Sequence, residues 1–310
     1  MTLATTMALD VGGTKILSGE IDTQGGVHDL QRIPSNVLTQ KAATEQMIQI
    51  LATRLSNTTV GNVRSISIST VGRVDIHSGV WHEIDPKRAS SIALADDLAQ
   101  RFNLPVYVGN DVYCATLAEL QLGMGQQTDE FIYLNVGTGI AGRVVSRGKI
   151  IVGAHNDAGE IGHMVVDMDS HEQCVCGRYG CVEPIASGLG MSNYAKKLMH
   201  TGAKTILQTE SDGRIGAKQL FDAFDKGDLV AQKVINRALK GISTLILNLI
   251  RVSDPEAVVL GGGVTNNGWL LSHLQPLITP YISDTKPVRV VSSAIDPNHI
   301  SLIGAGLRGF

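Results

Sequence analysis

Little in this chain suits it to nucleic acid or to a membrane. Only 4% of its 310 residues are aromatic, too few for a face that stacks many bases. The formal charge is −3, with no long basic block, so a nucleic-acid carrier is excluded. No apolar run reaches the about 20 residues that span a bilayer. The stretch 242–250 is apolar-rich but short and reads as a buried helix. No charged-then-apolar leader precedes the first expected strand, so a soluble cytoplasmic protein is expected. Cysteines number four; in a reducing compartment they point to metal or core, not to disulfides. The 43% hydrophobic and 18% charged content is globular, and the length suffices for two domains.

What the chain does have is glycine in three telling places: Asp10-Val11-Gly12-Gly13-Thr14-Lys15, Val136-Gly137-Thr138-Gly139, and Leu260-Gly261-Gly262-Gly263. Each follows an apolar run short enough to be a strand. Glycine lets a backbone come close to a ligand, and Thr14 and Thr138 add hydroxyls that can bond a phosphate oxygen. One such loop is usually only a tight turn. Three, with Asp10 ahead of the first, point to a nucleotide phosphate chain held between two domains. Asp10 would repel bare phosphate, so its functional reading places Mg²⁺ or its waters between; its plain reading is a turn-forming aspartate. Lys15 either neutralises a phosphate or faces solvent.

Strands and helices alternate along the chain. Strands are expected at 7–10, 16–21 and 27–33, then a helix at 42–55 and a strand at 65–70. A helix at 91–102, a strand at 105–108 and a helix at 112–122 follow. The strand–glycine turn–strand–strand opening recurs at 131–136, 142–146 and 149–152. Helices are expected at 189–199, 230–252, 269–278 and 303–307, with strands at 257–260 and 288–291. The halves rhyme, as two similar α/β domains facing across a cleft would. The expected domains are 1–122, joined by a C-terminal helix at about 296–310, and 123–295.

Asp111 stands at a strand-to-helix junction, where α/β proteins place ligands. It suits a general base that orients a sugar hydroxyl and takes its proton. Asn110 or Asp111 suits the N-cap of the following helix equally. Further on, Cys174, Cys176 and Cys181 fall within eight residues, a tight glycine-rich loop that can aim three thiolates at one centre. One histidine would complete a tetrahedral site suited to structural Zn²⁺; His155, His163 and His171 are all available. Glu160 and Glu183 flank this loop and could accept bonds from sugar hydroxyls, or be ordinary exposed glutamates. Cys114 stands apart and reads as a core residue. Arg143 is expected to point to solvent.

Taken together, these motifs resemble the ROK family of bacterial sugar kinases, sugar-responsive repressors and the kinase half of an animal sialic-acid enzyme. The match spans nearly the whole chain, and the cysteine loop followed by Glu183 and Ala186-Ser187-Gly188 is its most specific part. The resemblance implies an α/β, two-domain, actin-like (hexokinase-type) fold with an interdomain cleft. It implies Asp111 as the base acting on a sugar 6-hydroxyl. It implies Glu160, His163 and Glu183 as sugar contacts, with His163 also ligating zinc beside Cys174, Cys176 and Cys181. ATP and Mg²⁺ would be held by Asp10, Gly12, Gly13, Thr14, Lys15, Gly137, Thr138, Gly139, Gly261, Gly262 and Gly263. A homodimer is the usual state in this family.

Family members that act on glucose usually carry Gly-Pro after the fourth strand and Asn-Leu-x-Gly-Trp soon after. This chain has Ser69-Thr70-Val71-Gly72-Arg73-Val74-Asp75 and lacks the asparagine motif. That pattern is similar to the family's N-acetylmannosamine kinases. It implies N-acetyl-D-mannosamine as the sugar, with Gly72, Arg73 and Asn110 in contact and Asp85 standing in for a missing contact. Glucose, N-acetylglucosamine or fructose is the alternative. Six residues precede the first expected strand, too few for the helix-turn-helix of a regulator.

Overall fold

The computed structural model describes residues 3–35, 38–57, 60–84 and 89–310. The chain forms two compact units: Met1–Gln127 with Ile150–Ala158 and Asn298–Phe310, and Thr128–Lys149 with Gly159–Pro297.

The first unit opens with β1 (Ala4–Val11), β2 (Lys15–Asp22) and β3 (Val27–Pro34), followed by α1 (Gln40–Ser56) and β4 (Asn62–Thr70). Three short strands come next, β5 (Arg73–Asp75), β6 (Val80–Glu83) and β7 (Ala89–Ile92), then α2 (Leu94–Phe102), β8 (Val106–Asn110) and α3 (Asp111–Leu122). The main sheet runs β3-β2-β1-β4-β8, while β5-β6-β7 make a small sheet of their own. β4 pairs parallel with both β1 and β8. Its sequence alternates, as a strand's two faces require. Ile66 and Ile68 join Met7, Leu9 and Val11 of β1 in a core covered by α1 and α2. Ser65, Ser67 and Ser69 are buried as well, on the opposite face.

The second unit repeats the plan with β9 (Phe131–Val136), β10 (Ile140–Ser146) and the two-residue β11 (Lys149–Ile150). Its helices are α4 (Val182–Ala186), α5 (Gly188–His200), α6 (Ala217–Asp225) and α7 (Leu229–Ser253), followed by β12 (Ala257–Gly261), α8 (Trp269–Ile278) and β13 (Arg289–Ser292). The sheet order is β11-β10-β9-β12-β13. Asp228 caps α7, accepting from the Val230 and Ala231 amides. Val234, Ile235, Ala238, Ile242, Leu245, Ile246 and Leu249 recur along α7 at helical spacing and fill the core with Val258 and Leu260. No described helix is long and apolar enough to cross a membrane.

The last helix, α9 (Ile300–Leu307), belongs to the first unit. Leu302 packs with Ala8, Leu17 and Ile21. Close approach here depends on small residues: a Cβ on Gly304 would strike the Cys114 carbonyl, and one on Gly306 would strike the Ile21 side chain. Ser65 Oγ donates to the Gly309 carbonyl at 3.0 Å. The serine face of β4 is therefore the face toward α9.

Candidate active site

In the first unit the parallel strands bring the expected residues to one sheet edge. Register pairs Asp10 with Ser69, and Ser69 with Gly109; one step on, Val11 meets Thr70 and Thr70 meets Asn110. Asp10, next to last in β1, thus lies two strands from Gly109, about 10 Å at ordinary strand spacing, with Asn110 one residue further along β8. Ser69 Oγ donates to Asp10 Oδ1 at 2.7 Å. Burial pushes the Asp10 carboxyl up, against the lowering effects of that hydrogen bond and of Lys15. A desolvated carboxylate beside a lysine gains from a further cation.

The Gly12 amide donates to the Lys15 carbonyl at 3.0 Å, closing a narrow turn between β1 and β2. Gly13 and Thr14 are exposed. A Cβ on Gly13 would meet nothing within 4 Å, so packing does not demand glycine there; open space beside a bare backbone fits a ligand's approach.

Asn110 is the N-cap of α3. Its Oδ1 accepts from the Val112 and Tyr113 amides at 3.0 and 3.2 Å. Its Nδ2 donates to the Gly72 carbonyl at 2.9 Å, tying β8 to the segment that enters β5. Asp111 opens the helix, where its carboxylate meets the positive end of the helix dipole; Oδ1 accepts from the Val112 amide at 2.9 Å. The capping role thus falls to Asn110. Gly72 has φ +86° and packs against the Glu83 carbonyl, which leaves no room for a side chain. Arg73 Nε lies 3.4 Å from Glu83 Oε1. Asp85 falls outside the described residues.

In the second unit, β9 and β12 lie side by side and parallel, so the glycine turns after them share an edge. The Val264 amide donates to the Val136 carbonyl, and the Gly188 and Leu189 amides donate to the carbonyls of Gly137 and Thr138. Gly262 has φ +90°, and a Cβ there would strike the Val136 carbonyl, whereas a Cβ on Gly263 would meet nothing within 4 Å. Glu183 Oε2 accepts from the Ile140 amide at 2.9 Å, so one carboxylate oxygen braces the turn that holds Gly137, Thr138 and Gly139. A pocket of about 540 Å³ opens beside it, lined among others by Thr138, Gly139, Glu183, Asn193, Tyr194 and Lys197.

The imidazole of His163 joins Cys174, Cys176 and Cys181, all four donor atoms lying within 4.8 Å of one another. His163 Nδ1 is 3.2 Å from Cys174 Sγ, and the Cys176 and Cys181 sulfurs are 3.7 Å apart. A tetrahedron with metal–sulfur bonds of about 2.3 Å has edges of about 3.8 Å. The donor set and its size are compatible with zinc. The other ring nitrogen, Nε2, lies 3.9 Å from Glu160 Oε2, so one nitrogen is turned to the sulfurs and the other toward the glutamate.

Arg143 departs from the expectation of a solvent-facing side chain. It is only 5% exposed and lies under Gly159, whose backbone leaves no room for a side chain above it. Its burial breaks the alternation of β10, where Gly142 and Arg143 are both buried, so the strand pattern gave no signal for it. Ser69 and Glu83 were the other partners overlooked; the alternation of serine in β4 foretold the first.

Two units, each a β-sheet opened by a strand, glycine turn and strand, define a hexokinase-type, actin-like ATPase fold. The ROK family model matches residues 6–307, and the chain belongs to that family. A glucokinase of Halalkalibacterium halodurans is 30% identical over 97% of this chain and 93% of its own. An N-acetylmannosamine kinase of Escherichia coli is 33% identical over 84% of this chain and 83% of its own. The structure of a ROK family glucokinase from Streptomyces griseus, in complex with glucose and AMPPNP, aligns with TM-score 0.81 at 26% identity, covering 98% of each chain.

Proposed function

We propose that the protein transfers the γ-phosphoryl group of ATP to the 6-hydroxyl of N-acetyl-D-mannosamine. The observation that carries this reading is the clasp of Asn110 on Gly72. It ties the acid at position 111 to the hairpin that presents Arg73, so reactive group and specificity group are held by one side chain. As the O6–phosphorus bond forms and the bond to the ADP oxygen breaks, Asp111 accepts the hydroxyl proton; sugar 6-phosphate and ADP leave. Most of the acceleration comes from positioning and charge neutralisation. Asp10 would hold Mg²⁺, with Lys15 and the amides of Gly13 and Thr14 toward phosphate oxygens, while Gly12, its amide spent on the Lys15 carbonyl, shapes the turn that presents them. The turns of Gly137, Thr138 and Gly139 and of Gly261, Gly262 and Gly263 hold the nucleotide. Glu160, His163 and Glu183 accept from or donate to sugar hydroxyls. The Arg73 guanidinium, with five donors, reaches the N-acetyl carbonyl.

Zinc would be held by His163, Cys174, Cys176 and Cys181, and it supplies rigidity, since four protein ligands leave no open position. A second reading has its own support: the Halalkalibacterium relative, aligned over nearly its full length, is a glucokinase. A coupled ADP-release assay over N-acetylmannosamine, N-acetylglucosamine, glucose, mannose, fructose and allose separates the two. Highest kcat/KM on N-acetylmannosamine is expected; equal or higher kcat/KM on glucose overturns the choice of sugar and leaves the phosphotransferase standing.

A further inference from the structure

We infer that Arg308 is a positioning residue for phosphoryl transfer, fixing the corner that carries Asn110 and Asp111 from behind. This rests on the kinase reading above. β8 is an edge strand, so carbonyls on its outer side find no ladder partner. The Val108 carbonyl, two residues before Asn110, accepts from Arg308 Nη1 at 2.5 Å. The other terminal nitrogen, Nη2, donates to the carbonyl of Ile76, the residue after β5 and three beyond Arg73. One planar fork thus joins the same two segments that Asn110 ties together through Gly72.

The guanidinium also lies over Tyr113, in the first turn of α3, with its carbon 5.5 Å from the ring centroid, and 6.0 Å from that of Tyr107 in β8. A Cβ on Gly109 would fall 3.3 Å from Nη1, so glycine at that step lets the fork lie close to the strand. The backbone behind the fork is itself held, through Gly304 on α3 and Gly309 on Ser65. The Cys114 thiol is buried at the centre of this group. Burial pushes it up to about 12; Arg308 opposes the shift, and Asp10 and Asp111 add to it. Lysine carries the charge but not the fork, and cannot span both carbonyls.

The test compares wild type, R308M and R308K by steady-state ADP release on the best sugar of the panel, with and without millimolar guanidinium chloride, alongside thermal melts. R308M is expected to lose about 10- to 100-fold in kcat, as small misplacements of a reacting group do, with KM for sugar within about threefold. R308K should fall between. Guanidinium should restore part of the R308M rate and leave wild type unchanged. R308M at wild-type kcat overturns the inference. So does a loss that follows the melting curve, with no recovery by guanidinium. If R308M does not fold, R308K decides: a lowered kcat at unchanged KM supports the role, and wild-type kinetics refute it. A wild type that turns over no sugar removes the kinase reading and this inference with it, an outcome distinct from an active wild type with an indifferent Arg308.

Discussion

Asp10, the proposed magnesium ligand, shows how a group placed for function can cost stability. Its carboxyl is pushed up by burial, so the fold favours the protonated form. The sign follows: below the unfolded pKa, near 4, both states are neutral and nothing is lost. As pH rises from there to the raised value, the unfolded state gives up its proton while the folded state keeps its own, and stability falls; above the raised value the folded carboxylate is charged and the loss is complete. Asp10→Asn keeps an acceptor for Ser69 and removes that charge. Its melting temperature at pH 7 should exceed that of wild type, by about 2–4 °C for each kcal/mol relieved, and the decline with pH should flatten. Turnover should be lost. Differential scanning calorimetry from pH 4 to 8 checks this; a lower melting temperature at pH 7 would contradict the burial argument.

At the scale of elements, the cysteine loop and α9 carry different loads. The segment from Glu160 to Cys181 has almost no regular structure beyond one short turn, Ile161–His163, so a metal is the natural source of its order. One zinc per chain is expected by metal analysis. Cys181→Ser or a strong chelator should remove it and open the loop to tryptic cutting after Arg178. A metal-free protein with an intact, protected loop would contradict the zinc assignment. On α9, Gly304→Val puts two methyls against the Cys114 carbonyl. Overpacking of this kind costs about 1–3 kcal/mol, read as a lowered denaturant midpoint.

Much of this was legible in the sequence because local signals agreed with the fold. The 230–252 periodicity marks α7, which spans Leu229–Ser253. The glycine loops mark strand ends in both units. The small sheet was not legible. Residues 91–102 have helical spacing throughout, yet Ala89–Ile92 is a strand paired with β6, and α2 begins at Leu94. Tertiary pairing overrode local preference there. Nor could spacing reveal that Arg308 reaches Val108, since that contact spans 200 positions. Asn110 was readable as a cap, but its second bond, to Gly72, depends on a hairpin the sequence did not announce.

For the molecule as a whole, the proposed roles are divided between the units. The first supplies the base, the magnesium carboxylate and the arginine; the second supplies the zinc loop and the glycine turns for nucleotide. Loss of any one group should therefore separate binding from chemistry, and Asp111 does so most cleanly. The decisive measurement pairs steady-state ADP release with calorimetric titration of sugar on Asp111→Asn. A kcat lower by about 10²- to 10⁴-fold is expected, the usual worth of a general base, with sugar affinity within a few-fold of wild type. A variant that turns over at the wild-type rate would contradict this assignment.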